Sequence, residues 1–292
     1  MYPKLARCAT LCLSALPGFA SESHALSEEA LAKESQNPIG NLISVPFENT
    51  VYFDIGPSDS MVFASTMKPV YPLNFGDINL INRFILPYIY AEGQDAKDLQ
   101  GLVPDDGDGG FDTGFSSTLK AAAGSAKGFG DLTYQGFFTP AHPGTILWGL
   151  GPALTLPTHT EDRFGSDKVS AGPAIVALAK PGKWLLGALL QHQWDVAGSS
   201  GAADVNKSSL QLFVNYNLSD GWYLTSAPTF TANWEADSDN RWKVPVGGGI
   251  GKLHRFGKLP IDFKLTGYSN VKQSDFGPDY EIMFSVKFIF PK

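Results

Sequence analysis

Period-two alternation of apolar and polar side chains dominates this chain, and the C-terminal segment shows it best. Ile282, Phe284, Val286, Phe288 and Phe290 alternate with Met283, Ser285, Lys287 and Ile289, so one face is wholly apolar and the other carries Ser and Lys. Upstream, Pro260 to Val271 sets Ile261, Phe263 and Leu265 against Asp262, Lys264, Thr266 and Asn270. Ser209–Leu218, Trp222–Trp234, Gly144–Leu156 and Trp184–Val196 repeat the pattern. Helical spacing fits none of these runs, and period two predicts strands with two unlike faces. Less regular runs at Thr50–Ile55, Met61–Tyr71, Ile78–Tyr90, Gly128–Pro140, Val169–Ala179 and Arg241–Lys252 bring the expected count to about twelve, an even number that suits a bacterial outer-membrane barrel.

The connections sort themselves the same way. Gly76-Asp77, Ala141–Gly144, Pro181–Lys183, Ser219–Gly221 and Phe256–Lys258 are short and rich in turn residues. The alternate set, including Ala91–Lys127, Thr158–Lys168 and Ala197–Asp204, is longer and mostly polar. Short turns on one side and long loops on the other are expected of a barrel with its C-terminus in the periplasm. A soluble sandwich has no reason to sort its loops so. The fold class read from the sequence is therefore all-β, a transmembrane antiparallel barrel of about twelve strands with a short N-terminal helix.

The first residues do not belong to that pattern. Lys4 and Arg7 precede a short apolar stretch, Cys8 to Ala20, and Ser23-His24-Ala25 offers a cleavage site, so residues 1–25 read as a signal peptide. Both cysteines lie in it, which leaves the mature chain without disulfides or thiol chemistry. The mature chain carries a net charge of −8, with no basic stripe to engage nucleic acid. Residues 26–47 are expected to be a periplasmic helix (Leu26–Gln36, Ser27 as cap) and a linker that forms a partial plug, with the barrel from 48 to 292.

Polar residues on the inward phase are candidates to line a solute path: Asp54, Lys68, Arg83, Asp131, Gln135, Gln191, Asp195, Gln211, Asn215, Asp262, Lys264 and Lys287. Mutual charge pairing in the lumen explains most of them, and a substrate path is the sharper reading. Trp222, Trp234 and Trp242 sit near strand ends and suit an aromatic girdle at the membrane interfaces. Phe290 closes the last strand as in clients of the outer-membrane assembly machinery, although Pro291-Lys292 follow it. The partners expected are membrane lipid, that machinery and a small solute, at the cell outer membrane.

Candidate chemistry is sparse. No His of the mature chain (His142, His159, His192, His254) has a Ser within two positions, and His192 falls on the lipid-facing phase. A lipid-modifying enzyme would require His and Ser side chains to meet at the lipid-facing rim. Gly247–Lys252 fails the phosphate-loop pattern because Val246 and Leu253 replace its first Gly and its Ser/Thr. Asp105–Gly110 does not follow the EF-hand register. No catalytic set, metal or cofactor is expected.

Three segments, Asn37–Phe47 (NPIGNLISVPF), Gly149–Pro157 (GLGPALTLP) and Phe213–Gly251, resemble the proteobacterial outer-membrane barrels grouped as the "meta-pathway of phenol degradation" transporter family, some labelled "neuromedin U". Gly128–Asp131 is similar to that family's Gly-x-Gly-Asp strand start. The resemblance implies a barrel and transport of small, hydrophobic or aromatic compounds. The leading expectation is passive passage through the lumen or a lateral opening; the alternatives are a lipid-modifying enzyme and a structural or adhesive barrel.

Overall fold

Strands that are apolar on one face and polar on the other bury both faces correctly only if the sheet closes, with lipid outside and polar groups within. The computed structural model, which describes residues 27–56, 59–93 and 124–290, has that architecture. Helix α1 (Glu28–Ser35) precedes β1 (Ile43–Ile55), β2 (Ser60–Met67), β3 (Val70–Phe75), β4 (Ile78–Ala91), β5 (Ala126–Phe129), β6 (Leu132–Pro140), β7 (Ile146–Leu156) and β8 (Lys168–Ala179). Then come β9 (Trp184–Gly198), β10 (Asn206–Asn217), β11 (Trp222–Ser226), β12 (Thr229–Asn233), β13 (Trp242–Phe256), β14 (Leu259–Lys272) and β15 (Tyr280–Phe290). All lie in one sheet with antiparallel pairing throughout, and β15 pairs with β1 to close it. Three barrel strands are each broken once, into β2 with β3, β5 with β6, and β11 with β12, so the barrel is twelve-stranded.

The breaks have local causes. Pro69 and Pro228 have no N–H for a ladder. Around Pro69 the Lys68 N–H donates to the Pro46 carbonyl at 2.9 Å and the Phe84 N–H to the Pro69 carbonyl at 3.1 Å, so pairing resumes at once. At Pro228 the freed Ala227 N–H turns inward and donates to the Tyr268 hydroxyl at 3.0 Å.

The first strand departs from expectation. It starts at Ile43 rather than Thr50, so Ile43–Phe47 is barrel wall and not linker. Ser44, Pro46, Glu48, Thr50 and Tyr52 share one inward phase, and pairing runs unbroken from Ile43 opposite Phe290 to Phe53 opposite Tyr280. The helix starts two residues later and ends one earlier than expected: Ser27 Oγ accepts the Ala30 N–H at 3.1 Å, and Gln36 is its C-terminal cap. The signal peptide and the acidic loop 105–112 lie outside the described residues.

Outward side chains are those a lipid contact needs. Phe75, Phe138, Ile146, Leu150, Leu224, Leu265 and Ile282 are large, apolar and half exposed. All six tryptophans point outward, Trp148, Trp184 and Trp222 near the short-turn end and Trp194, Trp234 and Trp242 near the other. Two rings of tryptophan flanking an apolar band mark the two interfaces of a bilayer. The short turns use left-handed backbone at Gly76, Gly182, Asp220, Gly221 and Gly257. The protein is an outer-membrane barrel.

Candidate functional site

Inside the barrel, the charged residues converge. Glu48 on β1 pairs with Lys68, which the break between β2 and β3 turns inward, at 2.7 Å, and lies 3.7 Å from Lys264 on β14. Asp262, two residues before Lys264, lies 3.8 Å from Lys287 on β15. Lys287 in turn donates to the Ser35 carbonyl at the end of α1, at 2.8 Å. Arg83 on β4 lines the same space. Carboxylates and cations removed from bulk water are tolerable only when mutually compensated, which explains why they cluster.

Tyr223 completes this network from β11, its hydroxyl donating to Asp262 Oδ1 at 2.8 Å. The intervening strand β13 presents Gly251 here; a Cβ at that position would come within 2.1 Å of the Tyr223 ring. The glycine run that invited a phosphate-loop reading is therefore an opening in the wall through which one side chain reaches another.

The opposite wall is apolar. Ile81, Phe137, Ala153, Ala174, Val176, Leu178, Leu185, Leu189 and Phe213 point inward from β4 to β10 and pack together with Ile39 from the segment after α1. The charged network lines a cavity of about 120 Å³, to which this apolar cluster contributes Phe213, with Val70 and Ala227 packed beside it. Its floor is the C-terminal end of α1 and residues 36–42. The helix is held across the short-turn end by Leu31 and Ala32, which pack on Leu253 and Ile289, and by polar contacts to the short turns. Lys33 Nζ donates to the carbonyls of Lys180 and Gly182, Glu34 pairs with Lys180, and Gln36 donates to Asn217 Oδ1 at 2.8 Å. Burial, with the nearby Lys180 charge, holds Lys33 below the ordinary lysine value.

At the other end a long loop turns back into the mouth. Asp131, at the break between β5 and β6, accepts N–H groups from Thr158 (3.0 Å), His159 (3.1 Å) and Ser166 (2.8 Å) and bonds His159 Nδ1 at 2.7 Å. Phe164 is thereby driven into a cluster with Tyr52, Ile55, Val62, Ala64, Ile89, Ala91 and Ala126. Lys168 joins Asp195 and Asp204 nearby, at 3.2 and 3.0 Å.

The sequence-derived candidates thus divide. Lys68, Arg83, Gln211, Asn215, Asp262, Lys264 and Lys287 line the cavity. Gln135 donates to Gln191 and Gln191 to Gln193 at 2.8 Å, an interior ladder beside it. Asp131 anchors a loop instead of lining a path, because the strand break hands its carboxylate to loop N–H groups. Asp54 also differs. A bulge after Tyr52 gives Ile55 the inward position, and Asp54, at φ 54°, lines an outer cleft with Asp59, Asp275 and Asp279. Glu48 and Tyr223 were not among the candidates. Extending the β1 alternation back to Ser44 would have found Glu48, whereas Tyr223 looked like one more aromatic.

On the outer face, His192 and Ser208 do meet, Nδ1 to Oγ at 2.7 Å, near the outer interface. Trp234 Nε1 also donates to Ser208 Oγ, at 2.8 Å. His192 Nε2 is buried with no hydrogen-bond partner among the described residues, so the third, orienting group of a nucleophile-base array is missing there.

A twelve-stranded barrel with a girdled apolar exterior and a charged interior is of the outer-membrane porin-like class. Comparison with solved structures agrees on the fold. An outer membrane channel from Pseudomonas putida F1 matches with a TM-score of 0.60 and 17% identity over 87% of this chain and 97% of that one. The β domain of the Bordetella autotransporter BrkA (TM-score 0.40, 11% identity, 86% and 100% covered) and outer membrane phospholipase A from Escherichia coli (0.40, 11%, 85% and 96%) are more distant. No protein-family model and no curated protein matches the chain.

Proposed function

We propose that this barrel is a channel for passive passage of small molecules across the outer membrane, gated at the periplasmic end by helix α1. The observation that carries the reading is the lumen cavity, lined by the charged network together with Val70, Phe213 and Ala227, and floored by α1. Selection by lining, rather than bond-making, is the chemistry such a wall offers. The resemblance to the phenol-degradation transporter family accords with it, and extends it to hydrophobic or aromatic solutes. Lining roles for Lys68, Arg83, Lys264 and Lys287, and delivery to the membrane through the Phe290 strand, belong to the same proposal. Liposome-swelling and planar-bilayer measurements on the purified mature chain, over sugars, amino acids and aromatic acids, test it. Permeation of at least one class is expected, and permeation of none overturns it.

A second reading, a lipid-modifying enzyme, is favoured by one observation, the His192–Ser208 contact. It predicts phospholipid hydrolysis that Ser208→Ala abolishes. Equal turnover in wild type and variant, or none in either, removes it.

A further inference from the structure

Among the described residues, the lysines of the cavity outnumber the carboxylates left to pair with them. Four cations line the cavity, Lys68, Arg83, Lys264 and Lys287, against the carboxylates Glu34, Glu48 and Asp262. Glu34 is already paired with Lys180, outside the cavity lining. That leaves Glu48 and Asp262 to three lysines among the described residues, Lys68, Lys264 and Lys287, in a small cavity where uncompensated charge is costly. The Lys264 and Lys287 contacts to carboxylates, 3.7 and 3.8 Å, are also longer than that of Lys68, 2.7 Å.

We infer that the lumen cavity binds a small organic anion, its charge among Lys68, Lys264 and Lys287 and its apolar body against Val70, Phe213 and Ala227. The cationic and apolar groups lie on one cavity lining, so a ligand needs both ends to use it. An inorganic anion would satisfy only the first, an uncharged hydrocarbon only the second. Glu48 sets the affinity from the other side, since it neutralises Lys68 and competes for Lys264.

This rests on the channel reading for its biological sense but is tested apart from it. Equilibrium binding of cyclohexanecarboxylate to the detergent-purified mature chain is measured beside cyclohexanecarboxamide, which lacks the charge, and acetate, which lacks the body. The carboxylate is expected to bind at least about ten-fold more tightly than either. Lys264→Gln weakens it about ten-fold, and Glu48→Gln, which frees a cation, strengthens it by a similar factor. A gain of affinity is not something a misfolded barrel can produce. Equal binding of carboxylate and amide, no carboxylate binding, or no response to either substitution overturns the site. Anion binding without any permeation would leave the site standing and remove the channel; permeation without anion binding would do the reverse.

Discussion

Tyr223 reaches Asp262 across the side chain that Gly251 lacks, its hydroxyl 2.8 Å from Oδ1 while a Cβ on residue 251 would lie 2.1 Å from the ring. One small residue on the strand between them therefore decides whether the network at the cavity wall can form. Gly251→Ala is expected to cost about 2–4 kcal/mol, combining overpacking with the loss of a buried hydrogen bond. Tyr223→Phe, which removes only the hydroxyl, should cost about 1–3 kcal/mol. Urea unfolding in lipid vesicles, followed by tryptophan fluorescence, measures both. On a Tyr223→Ala background the alanine at 251 should cost much less; an undiminished cost would mean the ring does not pass there.

Helix α1 holds its place through a few contacts, and Leu31, 1% exposed against Leu253 and Ile289, is the central one. Leu31→Asp buries a carboxylate with no partner and should undock the helix while leaving the strand ladder intact. Single-channel conductance is then expected to rise several-fold, with unchanged heat-modifiable migration on gels. If conductance stays at the wild-type level, α1 is not the gate.

The loop from Thr158 to Ser166 depends on one carboxylate. Asp131→Ala leaves three backbone N–H groups and His159 without their acceptor, at a cost of about 1–3 kcal/mol for each that stays dry. The loop should swing out, and trypsin should cut after Arg163 at least ten times faster, read by mass spectrometry. Phe164→Ala, which empties a site that is 0% exposed, should do the same at about 3–5 kcal/mol. Slow cleavage in both variants would show that the loop is held by something other than Asp131 and Phe164.

Asp237 supplies a pH dependence in the external turn between β12 and β13. Its carboxylate accepts N–H groups from Asn240 and Asp239, which hold it below the ordinary carboxylate range, the Asn240 backbone bond contributing most. A depressed folded value means the turn is stabilised at pH above the ordinary range, and loses that support as pH falls through the depressed value. Amide exchange at Asp239 and Asn240 should accelerate, relative to intrinsic rates, on acidification into that window, and Asp237→Asn should largely flatten the response. Protection that rises on acidification would reverse the sign and refute the assignment.

Much of the barrel was legible because period-two alternation is read residue by residue. Ile261, Phe263 and Leu265 against Asp262 and Lys264 already state which face is which. The strand breaks were less legible: Pro69 and Pro228 interrupt runs that look continuous by hydropathy alone. Glu48 was missed for a related reason, since Pro46 reads as a boundary although its carbonyl still accepts the Lys68 N–H. The site was only half visible. Phase shows that Lys68, Lys264 and Lys287 point inward, but which of them share one carboxylate depends on strand stagger and on the Gly251 opening, and neither is a property of any single segment. Asp131 makes the same point, because its partners Thr158, His159 and Ser166 come from a loop with no periodicity to read.

The outer surface yields the sharpest test of the membrane assignment. Leu265 lies midway along β14 and is 51% exposed, while Phe256, 55% exposed, ends β13 at the periplasmic turn. In plain water the two sites would be equivalent, and an arginine at either would cost little. In a bilayer Leu265→Arg places a cation at the midplane, a cost of about 2–4 kcal/mol, whereas Phe256→Arg sits among headgroups at about 0–1 kcal/mol. The difference should appear in urea unfolding from lipid vesicles and vanish in detergent micelles, where the cationic head easily finds water. Equal penalties in vesicles would mean that hydrocarbon does not surround β14, and the apolar band flanked by Trp222 and Trp242 would need another partner.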